Sequence, residues 1–452
     1  MITRRMFVGG MAAASGLRKV RAAESDGQTR MKALLKRIQP PKFPNRTFDI
    51  TKHGAAAGQD CTKAIAAAID ACAKAGGGTV LVPAGSYETG AIHLKSRVNL
   101  HVAEGATLLF STGTKQYPIV YTRFEGTECM NYSPLIYAWE QTDIAVTGAG
   151  TLDGQASQEN WWGWKRGTRM NAEPDRKAIV EMGEKDVPVK DRIFGEGHYL
   201  RPNFFQPYRC TNVMIEGVTI KRSPMWEINP VLCKNVTVRN VKIDSHGPNN
   251  DGCDPESCTD TLIEGCVFNT GDDCIAIKSG RNRDGRRVNV PTDGVVVRNC
   301  QMKDGHGGVS IGSEVSGGIR NIFVDNNRMD SSHLDRALRI KTNSHRGGVI
   351  ENIYFANTTV GEVAQAVIDI DFFYEEGEGG PFKPVVRNVV VENVTSQKSK
   401  YALYLRGYAN APISGVEITN CKFANVAQPD VWEHVDDVKL TNDIRNGEPM
   451  KR

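Results

Sequence analysis

Eight short segments of this chain share one alternation of apolar and polar positions. They begin at 213, 236, 261, 295, 322, 353, 389 and 416, and each runs for eight residues. Within each, a strand of alternating character leads into Asn or Gly or a similar small turn, and a second short strand follows. Alternation at period two predicts half-buried β-strands. The first starts lie 23 and 25 residues apart, and later gaps lengthen as loops are inserted. A repeat of this size, rich in β-branched residues and without a helical period, predicts an all-β chain folded as a single right-handed parallel β-helix. Successive coils would stack about 4.8 Å apart, the ordinary strand spacing. The asparagines after the first strands are expected in left-handed turns or side-chain ladders.

A different period precedes the repeats. Segment 61–75 places Ala64, Ile65, Ala68, Ile69 and Cys72 on one face and ends in three glycines, 76–78. That pattern predicts an amphipathic helix capping the open end of the β-helix, where strand edges and core would otherwise meet water. One domain is expected over 45–435, with a lead-in at 24–44 and a tail at 436–452. Residues 153–207 break the repeat and read as a long insertion, a kind of excursion that is often functional. It holds Trp161, Trp162 and Trp164, readable as a sugar-stacking platform or as loop packing.

The N-terminus changes the charge argument. Thr3-Arg4-Arg5-Met6-Phe7-Val8, a weakly apolar stretch and a small-residue site at Ala22-Ala23 resemble a twin-arginine export signal over 1–23. A periplasmic or secreted protein is therefore expected. That segment holds five cations and no acid, so the chain's net charge of +4 becomes −1 without it. The basic balance then gives no reason to expect nucleic acid as a partner. No apolar run reaches the roughly 18 residues a membrane span needs. Eleven cysteines in an exported protein invite disulfides, yet the count is odd and Cys210, Cys233 and Cys258 share one repeat position. Most are read as small buried hydrophobes.

Four segments carry the candidate chemistry: Asn249-Asn250-Asp251, Gly271-Asp272-Asp273, Gly305-His306-Gly307 and Arg339-Ile340-Lys341. Asp251 lies 21 and 22 residues before Asp272 and Asp273, close to one coil, so all three carboxylates can face one patch. His306 and Arg339 follow at 34 and 33 residues, the first gap containing a polar insertion at 279–292. Clustered carboxylates repel, so at least one is expected to hold a proton. A protonated one can donate to a leaving oxygen while an ionised one activates water. Coil spacing alone places the carboxylates about 5 Å apart, which by the general rule favours retention of configuration.

In residue type and order these motifs resemble the polygalacturonases, family 28 of the glycoside hydrolases, which act on pectin and share the pectin-lyase-like β-helix. The resemblance spans roughly 45–435. It implies Asp272 as general acid and Asp251 and Asp273 as the groups that hold and deprotonate water, with inversion. It implies His306 tuning the acid, Arg339 and Lys341 gripping a galacturonate carboxylate, Asn249 lining the site, and Tyr374 binding substrate. Asn250 stands where many relatives have threonine. That residue, the stretches 201–206 and 223–226, and the long insertion resemble the bacterial exo-acting branch, in which added loops close one end of the cleft. The implied activity is release of galacturonate from the non-reducing end of pectate or oligogalacturonides by a monomer, with no metal or other cofactor. Galacturonate attached to rhamnogalacturonan and endo cleavage are the alternatives. A calcium-dependent pectate lyase and a non-catalytic carbohydrate-binding β-helix are the rival classes.

Overall fold

The structure is a computed structural model that describes residues 26–168 and 170–452. The expected export signal lies outside them. Two parallel sheets of thirteen strands and a third of six wind around one core. The chain is a right-handed parallel β-helix. The repeat read from sequence is the register of the first sheet. Val213 pairs with Val236, which pairs with Thr261, and the line continues through Val295, Ile322, Ile353, Val389 and Val416.

The turn after each of these strands uses left-handed backbone. Asn240, Asn299, Asn326, Asn357, Asn393 and Asn420 have φ between 51° and 57°. Their amides also stack along the axis, as where Asn326 Nδ2 donates to Asn299 Oδ1 at 2.7 Å. Asn therefore serves both geometry and ladder, the two uses its short amide allows. All eleven cysteines are free and buried. Cys210, Cys233 and Cys258 stack in one column, and Cys233 Sγ accepts from the Cys210 N–H at 3.4 Å.

The helix expected over 61–75 is formed. Helix α1 (Asp26–Arg37) lies earlier in the chain, and helix α2 (Thr62–Lys74) buries Ala64, Ile65, Ala68, Ile69 and Cys72. It packs on the first strands, among them Thr47–Asp49 and Gly78–Val82. Helix α1 falls in the lead-in. It crosses the outer face of the first sheet, with Met31, Leu34 and Ile38 against Leu262, Val296 and Phe323. The C-terminal segment 436–452 continues the winding past residue 435, adding strands Val438–Thr441 and Ile444–Arg445 and a short return strand, Glu448–Pro449.

The insertion is more ordered than its sequence suggests. It carries helix α3 (Glu173–Glu184), a 3-10 turn at Trp161–Trp164, and a strand, Ile193–Phe194. That strand pairs with Thr127–Tyr132, which forms an antiparallel hairpin with Ile119–Phe124. A further short helix, α4 (Asn282–Val288), occupies the 279–292 segment. The hairpin, α3 and α4 stand together beside the third sheet.

Candidate active site

Backbone hydrogen bonds between coils assemble the four motifs. Gly252 N donates to Asp273 O (3.0 Å), His306 N to Asp272 O (3.0 Å), and Cys274 N to Gly307 O (2.8 Å). The third sheet runs on from there, pairing Ser310 with Arg339 and Gly312 with Lys341. Asp251, Asp272, Asp273, His306, Arg339 and Lys341 thus occupy neighbouring coils on one side, as their spacing predicts. One carboxylate oxygen from each aspartate lies within 4.8 Å of the others. Two glycines are required by this closeness. A Cβ on Gly307 would stand 2.2 Å from Ser310 Oγ and 2.9 Å from Asp273 Oδ1, and one on Gly271 would meet Gly247 O at 2.5 Å.

The three carboxylates differ in partners. Asp273 is fully buried and accepts from Lys341 Nζ (2.6 Å) and Ser310 Oγ (2.8 Å), with Arg339 Nη1 at 3.5 Å. Burial pushes its carboxyl up, but Lys341 and Arg339 outweigh that and hold it well below the usual range. Asp272 is partly exposed, and its Oδ1 lies 3.0 Å from His306 Nδ1. Burial again acts upward most strongly, but the hydrogen bond to His306 together with the charges of Lys341 and His306 outweighs it, so Asp272 titrates low. The same bond raises the half-exposed His306 imidazole above its ordinary value.

Asp251 has no such cation. Its Oδ1 lacks a hydrogen-bond partner among the described residues. Burial, Asp254 and Asp272 push it well above the carboxylate range. Asp254, buried beside it, is pushed up in the same way, whereas Asp272 and Asp273 are held down. Asp254 is wholly buried, its Oδ2 3.8 Å from Lys278 Nζ, and serves the site from beneath.

Tyr374 stands beside the two cations of the site. Its ring lies under Arg339 (5.5 Å) and Lys341 (5.2 Å), contacts that orient both cations. Asn249 has left-handed backbone, and its Oδ1 accepts from Arg201 Nη2 (2.9 Å) and Lys165 Nζ (2.5 Å). Asn250, the departure from threonine, makes four hydrogen bonds. Its Oδ1 accepts from Ser245 Oγ and Gly247 N, and its Nδ2 donates to Ser223 O and Met225 O. It fastens the 223–226 stretch beneath the carboxylates. Trp161 and Trp164 are loop packing, edge to face at 4.6 Å and buried. Trp162 is half-buried and lines the cleft, its Nε1 donating to Ser223 O at 2.8 Å.

The cleft is unlike at its two ends. On the His306 side a cavity of about 710 Å³ is lined by Trp162, Lys165, Asn249 and Asp272. On the Lys341 side the space shrinks to about 60 Å³ between Asp251, Asp272, Lys341 and Tyr374. A wall of ion pairs ends it. Arg176 of α3 forks onto Glu125, at the hairpin turn, with Nη2–Oε2 at 2.8 Å. Arg281 adds contacts to Glu125 (3.3 Å) and Glu375 (3.7 Å). Beyond the wall lies a separate outer cavity of about 440 Å³ sharing these four residues.

Sequence reasoning missed Lys278, Glu314, Ser310, Arg201 and Lys165. Lys278 is buried, 3.0 Å from Glu314 and 4.5 Å above the Trp226 ring. Its signal was present: Ile277-Lys278 and Ile340-Lys341 are the same dipeptide at equivalent coil positions, with Gly312 between them.

Fold and site together define a parallel β-helix that carries three clustered carboxylates beside two cations in a cleft. The model for glycosyl hydrolases family 28 matches residues 194–439, and the chain belongs to that family. It is 43% identical to a hyperthermoactive exopolygalacturonase from Thermotoga maritima, whose crystal structure superposes with a TM-score of 0.91. The match covers 94% of this chain and 97% of that one. It is 28% identical to a probable polygalacturonase from Vitis vinifera over 76% of this chain and 66% of that protein. It is 27% identical to an exo-poly-alpha-D-galacturonosidase from Dickeya chrysanthemi over 78% of this chain and 62% of that protein. The chain thus spans about two thirds of the length of these curated relatives.

Proposed function

We propose that this chain hydrolyses α-1,4-galacturonosyl bonds from a chain end and releases galacturonate. The observation that carries the reading is the division of labour among three carboxylates within 4.8 Å. One is neutralised by Lys341 and Arg339, one is tied to His306, and one holds the proton. A single proton shared by Asp251 and Asp272 suffices for chemistry. Its transfer to Asp272 turns that group into the acid for the leaving oxygen and leaves Asp251 ionised to activate water. Asp273, pinned by its cations, positions that water. Inversion follows the family resemblance. Oxygen separations across the cluster are short, and side-chain direction decides the room left for water.

Exo action is supported by the ion-pair wall and by likeness to an exopolygalacturonase over nearly the whole of both chains. The wall leaves a dead end beyond Tyr374, so a chain terminus fits and a continuing chain does not. A twin-arginine route to the periplasm or exterior suits a polymer that cannot enter a cell.

The test is mass analysis of early products from de-esterified polygalacturonate with chelator present. Saturated monogalacturonate alone supports the reading. A ladder of saturated oligomers means endo cleavage, and unsaturated products mean elimination.

A further inference from the structure

His306 stands between two coils that each bring a carboxylate. On the coil before it, Asp272 Oδ1 lies 3.0 Å from Nδ1. On the coil after it is Asp335, set in register with His306 by the parallel bridge between Gly305 and Leu334. Stacked coils are about 4.8 Å apart. The main chain of Asp335 is fastened on both sides. Its N–H donates to Gly305 O (2.9 Å), and its carbonyl accepts from Gln365 N (2.8 Å) and Ala366 N (3.3 Å). Asp335 thus belongs to the stack of coils, with its place fixed by pairing. Its carboxylate is weakly matched. Among the described residues the cation within ion-pair distance is Arg336, with Nη1 at 3.6 Å, and Arg336 gives its Nε to Asp369.

We infer that Asp335 is a positioning residue for proton transfer at Asp272, acting through His306: from the coil after, it favours the cationic form of the imidazole. The inference rests on the acid/base reading above and adds a residue to it. With Nδ1 committed to Asp272, the charge around the ring decides whether Nε2 also keeps a proton. A cationic ring makes Asp272 the stronger acid toward a glycosidic oxygen. The other charges near the ring are spent or opposed. Asp273 is neutralised by Lys341 and Arg339. Asp304 accepts from Ser331 Oγ (2.6 Å) and lies 3.8 Å from His333. Lys165 and Arg166 line the cavity beside His306 from the insertion and act against a cation there. The bond to Asp272 raises the imidazole most, burial opposes it, and the charges of Asp272, Asp273 and Asp335 add to the rise.

The experiment follows the His306 ring by NMR in the full chain carrying isotope-labelled histidine, with the signal assigned by its loss in His306→Gln. Titration midpoints are compared for wild type, Asp335→Asn, Asp335→Glu and Arg336→Gln, beside the pH profile of kcat/KM on oligogalacturonides. Asp335→Asn should lower the midpoint by about half a pH unit, the size of effect a partly exposed charge supplies. The cationic ring is the working form, so the basic limb of the profile should come down by the same amount. Arg336→Gln, which removes a cation from the same carboxylate, should move both the other way, and Asp335→Glu should keep both near wild type. A midpoint unmoved in Asp335→Asn, or shifts of one sign in Asp335→Asn and Arg336→Gln, would overturn the inference. So would a rate lowered equally at every pH, which is what lost packing gives. Midpoints that move as stated in a chain that cleaves no galacturonan would sink the hydrolase reading and leave the hold of Asp335 on His306 standing.

Discussion

His306 is tied to Asp272 twice. Its backbone N–H donates to Asp272 O at 3.0 Å, and its ring Nδ1 lies 3.0 Å from Asp272 Oδ1. The first bond is ordinary coil-to-coil pairing and sets the distance. The second sets the charge, raising the imidazole and lowering the carboxyl. In the proposed cycle the Asp251–Asp272 pair holds one proton. A second proton on Asp272 removes the base, which defines the acid limb of the activity profile. His306→Ala deletes what holds Asp272 down, so that limb should move to higher pH. The maximal rate should also drop by about tenfold to a thousandfold, as for other lost proton-transfer partners. A pH profile of kcat/KM with its acid limb unmoved would count against the pairing as a charge device.

Asp272→Asn tests the acid itself. An amide fits the space and can still donate to His306, but it cannot release a proton to a glycosidic oxygen. Turnover should fall by several orders of magnitude while oligogalacturonide affinity, measured by calorimetry, stays within a few-fold. Activity close to normal would reassign the acid, and Asp251, which holds the proton at rest, would be next in line.

The repeat made much of this legible. Alignment of eight segments by apolar alternation reproduces the strand register residue for residue, because inward positions are fixed by the core and a slip of one would reverse every side chain. The motifs came through because their spacing matches coils. What stayed hidden lies off the repeat. Helix α3 showed no helical register because its buried face is Asp175, Ile179 and Gly183. Asp175 is buried to accept from Tyr199 N at 2.7 Å and to pair with His198, so a polar residue sits where periodicity looks for an apolar one. Likewise the third sheet repeats as Ala276-Ile277-Lys278, Ser310-Ile311-Gly312, Arg339-Ile340-Lys341 and Asp369-Ile370-Asp371. Only its middle residues, which point into the core, are constant in type; of the flanking ones, Lys278 and Lys341 line the cleft and answer to chemistry.

Asp251 should weaken the fold as pH rises. It titrates well above the ordinary carboxylate range in the folded chain, so the folded state binds a proton that the unfolded chain releases. The contribution is therefore full below about pH 4, near the unfolded value, and declines as pH climbs toward the folded one. Asp251→Asn removes that dependence. The variant should be inactive yet melt a few degrees higher than wild type at neutral pH, with the gap closing near pH 4. Calorimetric scans across that range decide it. A gap that stays constant with pH would mean Asp251 is not the residue carrying the cluster's proton.

The wall at the Lys341 end makes a prediction about product length. Glu125, Arg176, Arg281 and Glu375 come from four separate segments, and the fork of Arg176 on Glu125 ties helix α3 to the hairpin turn. Two cavities meet at these four residues, about 60 Å³ inside and about 440 Å³ outside. Removing the fork in a Glu125→Ala/Arg176→Ala double variant should join them into one channel. A chain could then pass the catalytic carboxylates, so early digests should contain di- and trigalacturonate and solution viscosity should fall faster per bond cut. Arg281 would keep Glu375 and Glu376 as partners at 3.7 Å, so the Lys341–Asp273 pair behind it should stay in place and the rate per bond should hold within about tenfold, far from the loss on deleting an acid. The milder Glu125→Gln, which keeps shape and drops charge, guards against collapse of the hairpin, with thermal melts confirming the fold of both. If folded variants still release monogalacturonate alone, the dead end is set by the shape of the hairpin and α3 and not by the ion pairs that cross it.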